Sequence, residues 1–202
     1  MFDVLIIGGG VSSMSCALIL GSAHNKPFVA DKKIGILTHQ KASSLQDALF
    51  NNAYGIPPGK LGSELLTEST QHLKDMYPQI QQIPDEKVMK IEGSYPAFTV
   101  ITNKNSYTTK IVVLGVGASN SFQIEGLMQY VVPHAKMPAV KQRIQLTNSD
   151  HKVAEGLYAI GTLAGWRSQL SIAAGSGASV GTDILTLWND GNHAAAHDSI
   201  RK

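Results

Sequence analysis

Phe2-Asp3-Val4-Leu5-Ile6-Ile7-Gly8-Gly9-Gly10-Val11-Ser12-Ser13 is the stretch whose reading decides the fold. Val4 to Ile7 is a short unbroken apolar run, the pattern of a strand buried on both faces of a parallel sheet. Three glycines follow at once, then small and apolar residues from Val11 to Leu20. The order reads as strand, tight turn, helix. Glycines at such a turn let backbone approach a diphosphate closely, and the positive end of the following helix favours its charge. The spacing Gly8-x-Gly10-x-x-Ser13 puts serine at the third position of the dinucleotide-binding fingerprint. Serine is small enough to keep helix and strand close, and its hydroxyl is available to cap the helix or meet the phosphate. Phe28-Val29-Ala30 reads as a second strand ending at Asp31. A carboxylate about 20 residues past the glycines is placed to accept hydrogen bonds from a ribose.

Outside this stretch the composition is that of an ordinary globular protein. With 202 residues the chain suits one domain, or one and a half. A net charge of +2 gives no electrostatic case for nucleic acid or an anionic membrane. No apolar run is long enough to span a bilayer, and no basic segment precedes the first apolar run. The expectation is a cytoplasmic protein without a secretory signal. Cys16 is the single cysteine and falls inside the apolar helix, so it reads as a buried, inert thiol. It excludes an internal disulfide and a Cys-x-x-Cys redox pair.

The chain after Asp31 leaves the alternation of a simple Rossmann dehydrogenase. Residues 32 to 53 are polar, with some helical character from Ser43 to Leu49. Pro57, Pro58, Gly59 and Gly62 set a loop, after which a helix runs to about Met76. From Val88 to Leu114 apolar and polar residues alternate in three runs, with a turn at Asn103-Lys104-Asn105. That pattern predicts an antiparallel β-meander with Phe98, Val100 and Thr102 on one face. Ile111 to Leu114 returns to a buried parallel-type run and ends at Gly115-Val116-Gly117. Residues 120 to 139 are irregular, residues 141 to 147 suit a strand, and Leu157 to Ile160 form another buried strand closed by Gly161-Thr162. A glycine-rich helix follows from about Gln169 to Trp188. Gly175, Gly177 and Gly181 each cost about 1 kcal/mol relative to alanine there, so a close neighbour is expected. Residues 191–202 read as a polar tail, and residues 1–190 as one domain built from both chain ends.

In this order the pieces resemble the FAD domain of the thioredoxin reductases, within the pyridine nucleotide-disulfide oxidoreductases. Asp3 to Gly10 is similar to the family's FAD-binding opening. Tyr54-Gly55-Ile56-Pro57 and Gly62-Ser63-Glu64-Leu65-Leu66 resemble its Pro-Gly-Phe-Pro and Gly-Pro-Glu-Leu segments. Val113 to Ala118 resembles its Ala-Thr-Gly-Ala crossover, and Gly156 to Thr162 its Gly-Val-Tyr-Ala-Ala-Gly-Asp segment. Ser168-Gln169-Leu170 and Ala173 to Gly177 resemble the Arg-Gln and Ala-Gly-Glu-Gly stretch that closes the flavin site. The fold implied is α/β, a Rossmann-like FAD-binding domain with a parallel sheet, helices and a β-meander crossover.

The resemblance implies FAD as cofactor. Gly8, Gly10, Val11, Ser12 and Ser13 would hold its diphosphate, and Asp31 and Lys32 its adenosine ribose. Val88, Gly115 and Gly117 would border the cofactor, Gly161 and Thr162 would lie by the diphosphate and ribityl chain, and Gln169 and Leu170 would face the isoalloxazine. Thr162 stands where the family has Asp, and Val116 where it has Thr. Only residues 119 to 155 separate the crossover from the last FAD segment, whereas a nicotinamide-binding domain needs roughly 100 residues. That domain and its redox cysteines are missing, which excludes thioredoxin reductase activity for this chain alone.

Other constellations carry less. His193 and His197 are four apart in the tail, with only Asp198 nearby, and no metal site is expected. His39 reads as a loop histidine in solvent, with proton donation to a substrate as the functional alternative. Trp166 and Arg167 read as rim residues or as a cover over the flavin or a partner-docking site. Ser12 and Ser13 lack a matched His and Asp, which argues against a hydrolase. No acid, base or nucleophile stands out. Trp188 and the stretch Phe122–Met128 offer apolar surface for self-association, compatible with a homodimer. The functional expectation is an FAD-dependent oxidoreductase fed by an external electron donor. The alternatives are a non-catalytic FAD-binding or sensing module and an enzyme that uses NAD.

Overall fold

A computed structural model describes residues 1–41 and 43–197. In chain order the elements are β1 (Phe2–Ile7), α1 (Val11–Ser22), β2 (Ile34–Thr38), β3 (Leu49–Phe50), β4 (Lys60–Leu61), α2 (Gly62–Met76), β5 (Gln81–Pro84), β6 (Val88–Ser94), β7 (Ala97–Thr102), β8 (Ser106–Leu114), β9 (Val131–Pro133), β10 (Ile144–Leu146), β11 (Lys152–Ala154), β12 (Leu157–Ala159) and α3 (Leu170–Trp188). The main sheet runs β11-β12-β8-β1-β2-β5. Within it β12, β8, β1, β2 and β5 are parallel, and β11 is an antiparallel edge. The first half of β8 pairs antiparallel with β7, which pairs with β6, so the meander is continuous with the sheet.

Side chains alternate between two cores, one on each face of this sheet. Val4 and Ile6 of β1 join Ile34, Ile36, Ile111 and Val113 against α1 and α3. Leu5 and Ile7 join Leu37, Val112 and Leu114 against Phe98, Val100, Phe122, Ile124 and Leu127. Four consecutive buried residues in β1 follow directly, since both faces of the strand are covered. Burying an isoleucine or leucine contributes about 2 kcal/mol before entropy is subtracted.

The meander, α2, α3 and the strands ending at Ile7, Leu114 and Ala159 fall where the pattern placed them. Phe28-Val29-Ala30 is different: it is a helical turn, with the amides of Val29 and Ala30 bonded to Lys26 O. Val29 is buried under α1, so the apolar run serves the core without being a strand. The second strand is Ile34–Thr38, all five residues buried. Ser43 to Leu49 is turns leading into β3, not helix. Only Ile144–Leu146 of the stretch 141 to 147 is strand.

Phe122, Ile124 and Leu127 are buried in the second core, leaving Met128 as the exposed apolar residue of that stretch. Trp188 is partly buried against the first core, with the Lys32 ammonium 5.7 Å from its ring. Packing continues into the tail, where Ala194 is buried against that core. The end of the tail, residues 198–202, lies outside the described residues. No helix among the described residues is long and apolar enough to cross a membrane.

Candidate functional site at the carboxyl edge of the sheet

The parallel strands β1, β8 and β12 end side by side, and each ends in glycine or runs into it. Gly8 takes φ +124° and its amide bonds Leu37 O at 2.9 Å. The Gly115 amide bonds Ile7 O at 2.8 Å, and the Ile160 amide bonds Leu114 O at 2.9 Å. A β-carbon on Gly8 would sit 2.8 Å from the carbonyl carbon of Gly115, and nearer still to its oxygen. The turn after β1 therefore rests directly on the turn after β8. Ser13 is fully buried beneath them, its hydroxyl 3.5 Å from Gly115 O. It packs as the expected small residue, and its side chain makes no cap bond to α1.

Gly10 caps α1 with no side-chain acceptor, and a β-carbon there would meet nothing within 4 Å. Gln169 caps α3, again without a side-chain bond. Both helices therefore begin with amides left for another partner. A β-carbon on Gly177 would lie 2.7 Å from Ser12 C, and one on Gly181 3.0 Å from Ile19 Cβ. These contacts advance together, so α1 and α3 run parallel. Gly177 is seven residues into α3 while Ser12 is the second residue of α1, so α3 begins about 9 Å farther out. The result is an edge with two uncapped helix starts, stepped one beyond the other. Gly175 meets nothing within 4 Å and is exposed, so the close-neighbour expectation holds for Gly177 and Gly181 only.

Gly161 closes this edge in a left-handed conformation, φ +64°. Its amide donates to Ser176 Oγ at 2.7 Å, and its missing β-carbon faces Ser12 Oγ at 2.9 Å. Thr162, half-buried, follows it, then Trp166, 39% exposed, and Gln169 and Leu170 at the start of α3. Gly115 is part of the same junction, and Gly117 (φ +80°) has open space where a side chain would be. Val88 starts β6 and is buried, just past the end of β5 at Pro84, whose partner is Thr38 at the end of β2. It thus lies at the same edge.

Asp31 and Lys32 do not. They precede β2, and β2 is parallel to β1, so they lie at the opposite edge from Gly8. The five residues of β2 alone separate the two edges by about 16 Å. Asp31 is exposed there, and Lys32 and Lys33 line a separate 420 Å³ cleft with Phe2, Gln79 and Tyr107. β2 ends at Thr38, and His39 and Gln40 follow it. His39 is half-buried, not solvated, and its Nδ1 has no partner. Gln40 Nε2 donates to Gly9 O at 2.9 Å and to Leu66 O at 3.3 Å, tying the glycine turn to α2. The pattern gave no signal for Gln40, since its partners are backbone carbonyls 31 and 26 residues away.

Cys16 is fully buried, and burial pushes its thiol up to about 12. Among the described residues no three His, Cys, Asp or Glu side chains could hold a metal. His193 and His197 belong to no such group, and Asp198 lies outside the described residues.

No known family model matches this chain, and no curated relative matches it in sequence. Solved structures do match in shape. A thioredoxin reductase from Gloeobacter violaceus aligns with TM-score 0.72 at 14% identity, over 98% of this chain and 98% of that one. A ferredoxin-flavin thioredoxin reductase from Clostridium acetobutylicum gives 0.65 at 16% identity, over 92% and 98%. An oxidoreductase from Agrobacterium tumefaciens gives 0.66 at 16% identity, over 92% and 98%. Over nearly its whole length the chain carries the thioredoxin reductase-like oxidoreductase fold.

Proposed function

We propose that this protein binds FAD along the carboxyl edge of its sheet and transfers electrons through the flavin. The observation that carries the reading is the pair of uncapped, parallel helix starts, stepped by about 9 Å over the glycine junctions. Amides at the start of α1, beside Gly8 and Gly10, are the groups to hold a diphosphate. Gly161, Thr162 and the start of α3 at Gln169 and Leu170 are the groups to hold the ribityl chain and flavin. The bound flavin would supply the redox chemistry, accepting and passing on electrons. The chain's own part is to bind, orient and stabilise negative charge at the start of α3. Since β2 ends at Thr38 and runs into His39-Gln40, we assign the ribose end to those three residues in place of Asp31 and Lys32.

The electron donor comes from outside the chain, as free NAD(P)H, a carrier protein or another subunit. A ferredoxin-flavin enzyme among the similar structures supports a carrier protein on this fold. Cys16 is too buried to take part. A second reading, an FAD-holding module without turnover, is favoured by one residue. Thr162 brings a hydroxyl without charge to the position where the resembled family has a carboxylate. The test is the visible spectrum of purified protein titrated with FAD, followed by anaerobic addition of NADH, NADPH or reduced ferredoxin. Flavin absorbance that appears and then bleaches supports the oxidoreductase. Colour that persists under every reductant supports the module, and a colourless protein that takes up no FAD refutes both.

A further inference from the structure

His151 is a buried residue for which the fold alone gives no reason. It sits with Asp150 in the turn where Ser149 and Lys152 exchange two backbone hydrogen bonds of 2.9 Å. Asp150 and His151 take φ +45° and +71°, which makes this a primed two-residue hairpin turn. Asn-Gly is the favoured pair in such a turn, and a histidine at the second position is held in backbone that disfavours any side chain. Yet its side chain is only 4% exposed. Its Nε2 lies 2.9 Å from Ser176 Oγ in α3, and that oxygen accepts the Gly161 amide at 2.7 Å.

Ser176 Oγ accepts the Gly161 amide and also shares a hydrogen bond with Nε2 of His151, either of the two side-chain atoms being able to donate. The other ring nitrogen, Nδ1, lies 3.4 Å from the Asp150 carboxylate. That contact lacks hydrogen-bond geometry, which leaves Nδ1 without a partner inside the fold. The order Asp150–His151–Ser176 is that of a hydrolytic triad, but Ser176 is buried and its oxygen is committed to a backbone amide. It is not a nucleophile. The same imidazole stacks on Trp166, with ring centroids 5.8 Å apart and planes 17° from parallel. The Lys136 ammonium sits 4.3 Å from the centre of that indole. One side chain is therefore linked to both ends of the segment from Gly161 to Trp166, to the first through Ser176 and to the second directly.

We propose that His151 is a positioning residue for the cofactor groove. Through Ser176 it holds the Gly161 amide, and by stacking it holds the Trp166 indole, so the segment that lines the groove is set before a ligand enters. This rests on the reading of Gly161 and Thr162 as part of the flavin site, and extends it to a residue pair 25 positions apart.

Two variants separate the two contacts. His151→Phe keeps the ring and loses the hydrogen bond; His151→Gln keeps an acceptor and loses the stack. Both are made with Trp188→Phe, so that Trp166 is the one indole. In cofactor-free protein, His151→Phe speeds exchange of the Gly161 amide about tenfold relative to Val113, and leaves Trp166 emission as in the parent. His151→Gln does the reverse. Each weakens FAD binding about tenfold, the worth of one lost hydrogen bond or stacked contact. If His151→Phe does not fold, Ser176→Ala removes a single oxygen and carries the same expectation for Gly161. The proposal fails if Gly161 exchanges in step with Val113 in His151→Phe, if Trp166 emission is unchanged in His151→Gln, or if FAD affinity stays within about twofold of the parent. A parent that takes up no FAD sinks the flavin reading instead, while exchange and emission still decide whether the clamp exists.

Discussion

Gly177 is where α3 touches the backbone of α1, and it offers a test of the stepped-helix geometry. A β-carbon there would lie 2.7 Å from Ser12 C and 3.0 Å from Ser12 Cα, against roughly 3.4 Å or more for ordinary contact. The obstacle is main chain, so no side-chain rotation relieves it. Gly177→Ala must therefore part the two helices, and with them the contacts of Cys16, Val180 and Ile184 in the first core. Overpacking costs about 1–3 kcal/mol where side chains yield, so a rigid helix places this case near 3 kcal/mol. Alanine returns about 1 kcal/mol of helix propensity, leaving a net loss of about 2 kcal/mol. Gly175→Ala, two residues earlier, gains the same propensity and meets nothing. The propensity cancels between the two variants, and their difference of about 3 kcal/mol measures the contact itself. In urea, with a slope of about 2 kcal/mol per molar, their midpoints should differ by about 1.5 M. Far-ultraviolet circular dichroism reads this directly. Midpoints within about 0.5 M of each other would refute the close approach of α1 and α3, and with it the stepped edge.

The ribose end is tested by contrast. Asp31→Ala leaves FAD affinity within about twofold, since Asp31 lies at the far edge. Gly10→Asp has room for its side chain and makes a good helix cap, so thermal stability holds or rises while the carboxylate repels the diphosphate and weakens FAD binding about tenfold or more. Cys16 should resist a thiol-reactive disulfide reagent at mildly alkaline pH in the folded protein, and react at once in urea; fast labelling of the native chain would contradict its burial. Glu86 gives a pH dependence. Burial raises its carboxyl, but bonds from Thr102 (2.6 Å), Asn105 (2.7 Å) and Tyr107 (2.9 Å) outweigh that and hold it below its ordinary 4.5. Its stabilisation is thus present above pH 4.5 and lost as pH falls through the lower folded value. Glu86→Gln should destabilise the protein by about 2 kcal/mol at neutral pH. The gap should narrow as pH falls below 4.5, as read by urea unfolding at neutral and at acid pH.

What the sequence could and could not say follows from the range of each interaction. β1, the second half of β8, and β12 were legible because a strand covered on both faces must be apolar throughout, and the glycines that end them answer to local backbone geometry. The meander was legible because one of its faces is wet and period two survives. β2 was not. It carries Gly35, whose missing β-carbon makes way for Phe2 Cε1 at 2.7 Å and Leu5 Cδ1 at 2.9 Å, a demand made by another strand. Phe28-Val29-Ala30 looked more strand-like because three apolar residues cannot distinguish a buried turn from a strand. In a parallel sheet that shift has a large consequence: a residue placed at the wrong end of a strand lies across the whole sheet from the site. It put Asp31 where the chain has His39 and Gln40, the residues that follow β2. The candidate site divides the same way. Its glycines and helix starts were readable, because a groove made of amides is specified by residues next to each other. Gln40, Ser176 and His151, which support this junction, act across 15 to 31 residues, and the backbone groups that Gln40 and Ser176 serve carry no sequence signature. The exception is the Asp150-His151 turn, where a histidine at a position that suits glycine marks a side chain retained for a contact elsewhere.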